Sequence, residues 1–321
     1  MAGRIPLVIV IGPAYVDLAV KCQAFPSPGQ MVEGASFSGV PAGAGVNRAI
    51  QAAQCGCEVS LIARVGDDCF GRMIQKNLLQ YHISTDLVYS ANAISTGIIV
   101  TLVDPQGENS GCVCAGANRT FGRNEIEYAA AEQAIGSCDA CLVCGELPQE
   151  AVVAALRTAG IHKRRTVLDV CLPTHTRDAL HEIQWPMEYY NVDILAVRFA
   201  DFTSVSELGA GGTADLKFIG TELVARGAGC VVMSLGWRGA LISDRQGVRH
   251  IPGPGLEVVD NGGTVDAFCG ALAACCGAND SADTAVRFAA AAEALARSRF
   301  GTQEALPKKE DIIALLQQQP D

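Results

Sequence analysis

Residues 256–273 read LEVVDNGGTVDAFCGALA, and this stretch decides how the rest of the chain is read. An apolar run over 256–259 ends at Asp260. A tight Asn261-Gly262-Gly263 turn follows, then Thr264, Val265 and Asp266, and a small-residue helical pattern begins at Ala267. Strand, glycine turn and helix start together aim several backbone N–H groups at one point, with the positive end of the helix behind them. That is an anion site, and phosphate is the usual biological anion. A carboxylate in the first helical turn is odd in a loop that only binds phosphate, because like charges repel. It makes sense if Asp266 takes a proton from a hydroxyl that attacks the phosphate. A strand-to-helix turn in which Asp266 merely caps the helix has the same pattern.

At 321 residues the chain is long enough for one large α/β domain with a large core. Hydrophobic residues make up 49% and charged residues 18%, with 34 glycines, the composition of a tightly turned globular protein. The net charge of −10 argues against a sequence-independent grip on nucleic acid or on an anionic membrane. The one basic cluster, His162-Lys163-Arg164-Arg165, precedes an apolar run and reads as a solvated loop. No apolar run approaches the roughly 18 residues of a membrane span. The N-terminal IPLVIVIG is followed by Pro-Ala-Tyr-Val-Asp and not by a small-residue cleavage site, so it reads as a buried first strand. With no export signal, the 14 cysteines are expected to be cytoplasmic thiols. Cys138, Cys141 and Cys144 have iron–sulfur spacing, but the fourth cysteine and its proline are missing. They fall on a strand pattern, where residues three apart face opposite sides, and read as small buried side chains.

Strand patterns at 7–11, 59–63, 140–144, 166–170, 192–197 and 230–234 alternate with helical patterns at 46–53, 70–81, 124–135, 149–159 and 216–226. That rhythm argues for a parallel sheet covered by helices on both faces. Two β-rich, turn-rich regions, about 14–40 and 96–116, are expected to form one small sheet outside it, a lid on a single domain spanning 1–321. Ligands of open α/β sheets bind beyond the C-terminal strand ends. Asp17, the loop from Gly43 to Asn47, Glu146 and Asp266 all follow strand or sheet elements, so they can meet there. Carboxylates and an amide at one place suit a polyhydroxylated ligand, since each can fix a hydroxyl pair. Taken singly, Asp17 and Glu146 also read as loop acids, and Asn47 as a helix cap.

These residues resemble the ribokinase family of carbohydrate kinases, of the phosphofructokinase-B type, over essentially the whole chain. VIGPAYVDLAV is similar to the family's first strand and sugar-binding aspartate, which gives that role to Asp17. PAGAGVNRAIQAAQCG, holding Gly43 and Asn47, resembles the glycine-rich sugar loop, and RVGDDCFG resembles the signature that follows it. STGIIVTLVDPQGENS and CAGANRTF are similar to the lid strands and the loop after them. GELPQEAV puts Glu146 at the sugar. SLGWRGA resembles the nucleotide-side strand and loop, implying nucleotide contacts at Ser234 and Gly236. VVDNGGTVDAFCGAL resembles the second signature. It implies that Asp266 is the catalytic base, with Gly263 stabilising the transferring phosphoryl and Thr264 and Val265 on the nucleotide. RFGTQEALP resembles the segment near the adenine and a monovalent cation, which implies K⁺ near Asp260 and Gly262. Paired lids in such proteins imply a homodimer.

The departures from the family pattern lie on the phosphate side. Gly263-Thr264-Val265-Asp266 stands where the family reads Gly-Ala-Gly-Asp, and a positive φ at Val265 would make valine a poor occupant. The family's Asn-x-x-Glu element, which orders water around Mg²⁺, falls at 194–200, with Val197 and Ala200 in its two positions. Ala44 replaces the lysine of many sugar loops. The resemblance implies an ATP-dependent kinase, with Mg²⁺ arriving on ATP, that acts on a primary hydroxyl of ribose or a similar furanose. A nucleoside kinase is the alternative within this class. Outside it stands a catalytically weak homologue that binds a sugar or nucleoside; a thermal shift with ATP–Mg²⁺ beside one with sugar alone separates the two classes.

Overall fold

The computed structural model describes residues 4–200 and 210–318. In chain order the elements begin with β1 (Leu7–Ile11), β2 (Tyr15–Cys22), β3 (Gly34–Ala42), α1 (Ala44–Gln54), β4 (Glu58–Gly66), α2 (Cys69–Gln80), β5 (Val88–Ala91), β6 (Gly97–Val103) and β7 (Asn109–Cys114). Then come α3 (Arg123–Glu127), α4 (Ala129–Ser137), β8 (Ala140–Cys144), α5 (Gln149–Ile161), β9 (Arg165–Leu172), α6 (Ala179–Glu182), α7 (Met187–Tyr190), β10 (Ile194–Phe199) and α8 (Ala210–Ala225). The chain closes with β11 (Cys230–Ser234), β12 (Ala240–Asp244), β13 (Gly247–Ile251), α9 (Thr264–Gly277), α10 (Ala282–Arg297) and α11 (Lys309–Gln317).

Nine strands form the main sheet in the order β13-β12-β11-β10-β9-β8-β1-β4-β5. The pairings are parallel from β11 through β5, and only the β11-β12-β13 edge is antiparallel. Its strands are near-continuous apolar runs because both faces are covered. Val8 and Val10 of β1 pack with α1, α9 and α10 on one face, while Ile9 and Ile11 pack with α4 and α5 on the other. The same alternation sorts Leu142 from Val143 and Ala196 from Val197. Cys141 lies in the second core, and burial pushes the thiols of Cys138 and Cys144 up to about 12, so they are neutral at physiological pH.

A second sheet takes four strands, in the order β3-β2-β6-β7. β2 pairs antiparallel to β3 and parallel to β6, placing Asp17, Ala19 and Lys21 on one face with Ile99, Thr101 and Val103. Asp17 therefore projects from a strand and not from the loop after β1. Two further sequence expectations give way, the helix over 124–135 and the strand over 256–259. The helix expected over 124–135 is broken at Tyr128, whose backbone is extended (φ −63°, ψ 133°) and whose ring packs edge-on against Tyr89 at 6.2 Å. The hairpin β12–β13 adds two antiparallel strands to the sheet edge. Residues 256–259 form no strand: Val258 and Val259 are exposed, and the N–H groups of Val259 and Asp260 donate to the carbonyl of Arg297 at the end of α10.

Candidate active site

The glycine turn ahead of α9 is built as an anion site is built. Gly263 caps the helix in the left-handed region at φ 71°, where a side chain would be strained. The N–H groups of the first helical turn have no partner within the helix. Thr264 is buried and its hydroxyl donates to the Asn261 carbonyl at 3.1 Å, closing the turn. Asp260 staples the turn from below: Oδ1 accepts from the Gly262 N–H at 2.9 Å, and Oδ2 from the Gly301 N–H at 3.0 Å. Val265 lies inside α9 and is not among the residues with positive φ; its side chain packs against the core. The strain expected at Val265 is absent, because the residue that must turn left-handed is Gly263.

The loop from Gly43 meets this helix start. Gly43 caps α1 at φ 100°, and a Cβ there would lie 2.8 Å from the Pro13 carbonyl oxygen, so only glycine fits. One turn on, Asn47 is buried and its Nδ2 donates to Asp266 Oδ2 at 2.9 Å. Its Oδ1 accepts from Gln303 Nε2 at 3.1 Å, and the same nitrogen donates to the Pro41 carbonyl at 2.9 Å. Arg48 donates from Nε to Asp266 Oδ1 at 3.0 Å. Each oxygen of Asp266 is thus held by a neighbouring residue of one helix turn.

An alternating row of charges continues across the strand ends. The Arg48 Nη1 atom lies 3.0 Å from Asp169 Oδ2 within β9, and the pair is 1% exposed at both ends. Asp169 also accepts from Arg198 Nε on β10 at 3.3 Å, and the Arg198 Nη2 atom donates to Glu146 Oε1. Burial pulls the Arg198 guanidinium down, but Asp169 and Glu146 more than offset this and hold it well above its usual range. Val197 faces the core, away from the site, and Ala200 is exposed beyond the end of β10, so the polar position here is Arg198. The motif reading missed Arg48, Asp169, Arg198 and Gln303. Arg48 directly follows Asn47 on α1, and Arg198 sits next to the end of β10, where the strand-end rule would have found it; Asp169 lies inside β9 and carried no such signal.

On the far side of the turn, Ser234 at the end of β11 donates to Glu293 Oε2 at 2.7 Å and accepts from the Gly236 N–H at 3.2 Å. Glu293 is buried; burial raises its pKa, while Arg297 and Ser234 oppose the shift. Arg297 donates from Nη2 to Glu293 at 2.8 Å and from Nε to Asn261 Oδ1 at 3.2 Å. This chain of contacts ties Ser234 and Gly236 to the anion turn. A cavity of about 910 Å³ opens between the four-stranded sheet and the segments at 259–260 and 300–304. Asp17 faces it and accepts from the Thr101 hydroxyl at 2.9 Å. Gln303 lines the same cavity and links its wall to Asn47 and so to Asp266. Among the described residues no group of three or more His, Cys, Asp or Glu side chains could hold a metal ion, and no helix is long and apolar enough to cross a membrane.

The family model of the pfkB carbohydrate kinases matches residues 6–309. The ribokinase of Bacillus subtilis is 30% identical over 315 residues, covering 96% of this chain and 99% of the relative. That of Mus musculus is 28% identical over 313 residues, covering 95% and 93%. The structure of Arabidopsis thaliana ribokinase complexed with ribose and ATP matches with a TM-score of 0.82 at 22% identity, over 98% of this chain and 99% of that one. The architecture is thus the ribokinase-like α/β fold, and the activity class is phosphoryl transfer to an alcohol acceptor. The chain belongs to the pfkB family of carbohydrate kinases.

Proposed function

We propose that this protein transfers the γ-phosphoryl group of ATP to a primary hydroxyl of a furanose sugar such as ribose, with Asp266 as general base. The observation that carries this reading is the junction at Asp266. One carboxylate stands at the positive start of α9, beside the left-handed Gly263 turn, and is held by Asn47 of the glycine-rich loop. A hydroxyl placed there can lose its proton to Asp266 as it attacks phosphorus. The N–H groups of Gly263, Thr264 and Val265 take up the charge that gathers on the phosphoryl oxygens. Asp17, Gly43, Asn47 and Glu146 bind the sugar, and Ser234, Gly236, Thr264 and Val265 the nucleotide. Ribose is favoured over a nucleoside because the relatives matched over nearly their whole length include the ribokinases of Bacillus subtilis and Mus musculus.

Among the described residues magnesium finds no carboxylate site of its own here. Asp266, Asp169 and Glu146 are already paired with Arg48 and Arg198, so Mg²⁺ would be held by the triphosphate and water alone, and no step of the transfer depends on a protein ligand to it. Potassium fits better. A Cβ at Gly262 would lie 3.2 Å from Thr302 Oγ1, 3.4 Å from Asp260 Oδ1 and 3.4 Å from the Gly301 carbonyl oxygen. Asp260, Gly301 and Thr302 would hold such a cation, which supplies positive charge beside the anion turn. The four-stranded sheet leaves Phe37, Val40 and Val113 exposed, and we take it to be a lid that pairs with a second copy. Cysteines that form no disulfide among the described residues, together with the need for ATP, fit the cytoplasm.

A transfer screen with ATP–Mg²⁺ over pentoses, hexoses and nucleosides, read by ³¹P NMR, tests the proposal. A pentose phosphate ester formed on the primary hydroxyl is the expected product. Transfer to no acceptor would overturn the reading and leave a binding protein.

A further inference from the structure

Arg48 is the largest fully buried side chain among the described residues. It follows Asn47 on α1 and enters the floor of the site, where its guanidinium reaches three partners. Nε donates to Asp266 Oδ1 at 3.0 Å, and Nη1 lies 3.0 Å from Asp169 Oδ2 and 3.3 Å from Cys144 Sγ. Burial works against the charge, but the carboxylates of Asp169 and Asp266 more than offset it, so the group stays a cation well above its usual range. A guanidinium removed from water is expensive unless its donors are matched in geometry, and a fork with two carboxylates matches them.

Asp266 is only 16% exposed, and α1 supplies a donor to each of its oxygens, Asn47 to Oδ2 and Arg48 to Oδ1. These two bonds lie in fixed directions because both donors leave one turn of a helix. An Asp side chain at a helix start could otherwise rotate toward the free N–H groups beside it. We infer that Arg48 is a positioning residue for the transfer step: it holds the Asp266 carboxylate facing the acceptor hydroxyl, with Asp169 as its buried counter-charge. The inference rests on Asp266 being the base. Asp169 is itself shared with Arg198, which bonds Glu146. The row Asp266, Arg48, Asp169, Arg198, Glu146 therefore runs unbroken from the reacting centre to the proposed sugar contact. Orientation of this kind acts on turnover more than on ground-state binding, and small misplacements are felt strongly.

The test compares Arg48→Lys, Asp169→Asn, Asp266→Asn and the double variant Arg48→Lys/Asp266→Asn, as full chains with ATP–Mg²⁺ and ribose. Lysine keeps the charge and loses the fork. Arg48→Lys should remain folded, with kcat reduced about 10- to 100-fold and the sugar KM within about threefold of wild type. Asp169→Asn should fall in the same direction. The double variant should be no slower than Asp266→Asn alone, because Arg48 acts through that carboxylate. Wild-type kcat in Arg48→Lys overturns the inference, as does a loss that multiplies in the double variant. It also fails if Arg48→Lys and Asp169→Asn both lose the fold, since the pair is then structural. Full turnover in Asp266→Asn instead removes the base reading itself, whatever Arg48→Lys does.

Discussion

Asn47→Ala removes a side chain that the structure uses twice. Its Nδ2 bond to Asp266, at 2.9 Å, ends on a charged group; such bonds are worth about 1.5–3 kcal/mol. Its Oδ1 bond from Gln303 matters less, because Gln303 Nε2 keeps the Pro41 carbonyl at 2.9 Å. A net loss of about 2 kcal/mol is expected. With an unfolding entropy of about 2.1 cal/mol/K per residue, a chain of 321 residues has roughly 0.7 kcal/mol/K, so the melting temperature should fall by about 3 °C. The same change loosens one of the two tethers on the proposed base, and turnover should drop about 10- to 30-fold, since about 1.4 kcal/mol is a factor of ten. Sugar affinity should weaken by roughly five- to a hundredfold if Asn47 also meets a sugar hydroxyl. Asn47→Asp keeps the volume but sets an oxygen against Asp266, and should be worse in turnover than alanine. Differential scanning fluorimetry, calorimetric titration with ribose and a coupled ADP assay read the three quantities. A variant with unchanged melting temperature and unchanged turnover would refute the Asn47–Asp266 contact as described.

Val265→Gly should bring no gain in turnover or ATP affinity, because Val265 is helical and packs on the core; a loss of about 1 kcal/mol in stability from helix propensity is expected, and a tenfold rise in kcat would contradict it. Asp68 caps α2, accepting from the Gly71 N–H at 2.8 Å, from the Thr96 N–H at 2.8 Å and from the Thr96 hydroxyl at 2.6 Å. Burial pushes its pKa up, but these bonds outweigh it and hold the carboxyl below its usual range. Its contribution should therefore be present in full above an unfolded-state value of about 3.9 and be lost as pH falls through the lower folded value. Asp68→Ala should cost about 1 kcal/mol near neutrality, with the gap in urea midpoint to wild type steady down to about pH 5 and narrowing as pH falls below about 4; a gap that widens on acidification would contradict the sign. Light scattering at micromolar protein should give the mass of a dimer, and a monomeric mass would remove the proposed pairing of lids.

The parts of the fold that were legible in the sequence are those where local pattern and burial agree. Leu7–Ile11 and Ala140–Cys144 are short apolar runs between turn signals, and both are central strands. The apolar run at 256–259 looks similar, yet Val258 and Val259 are exposed. The backbone of Val259 and Asp260 bonds the Arg297 carbonyl on α10, a contact that no local pattern encodes. Tyr128 breaks a helix that periodicity favours because its ring has a partner 39 positions away in Tyr89. The glycines at 43 and 263 could be read from sequence because their backbone angles admit little else. Arg48 and Arg198 could not be read so readily. An arginine on a helix or strand pattern is ordinarily a solvated cation, and only the tertiary approach of Asp169, Asp266 and Glu146 turns these two into the floor of a site.

The claim at the centre of this account is that Asp266 accepts the proton of a sugar hydroxyl during phosphoryl transfer. Asp266→Asn keeps the size of the side chain and can still bond Asn47, but it cannot take a proton. The decisive measurement is kcat for ATP-dependent ribose phosphorylation by wild type and by this variant, alongside the ribose dissociation constant of each. Wild type should form the phosphate ester and the variant should turn over about 10²- to 10⁴-fold more slowly, with ribose affinity changed by less than about threefold. Wild-type turnover in Asp266→Asn would contradict it.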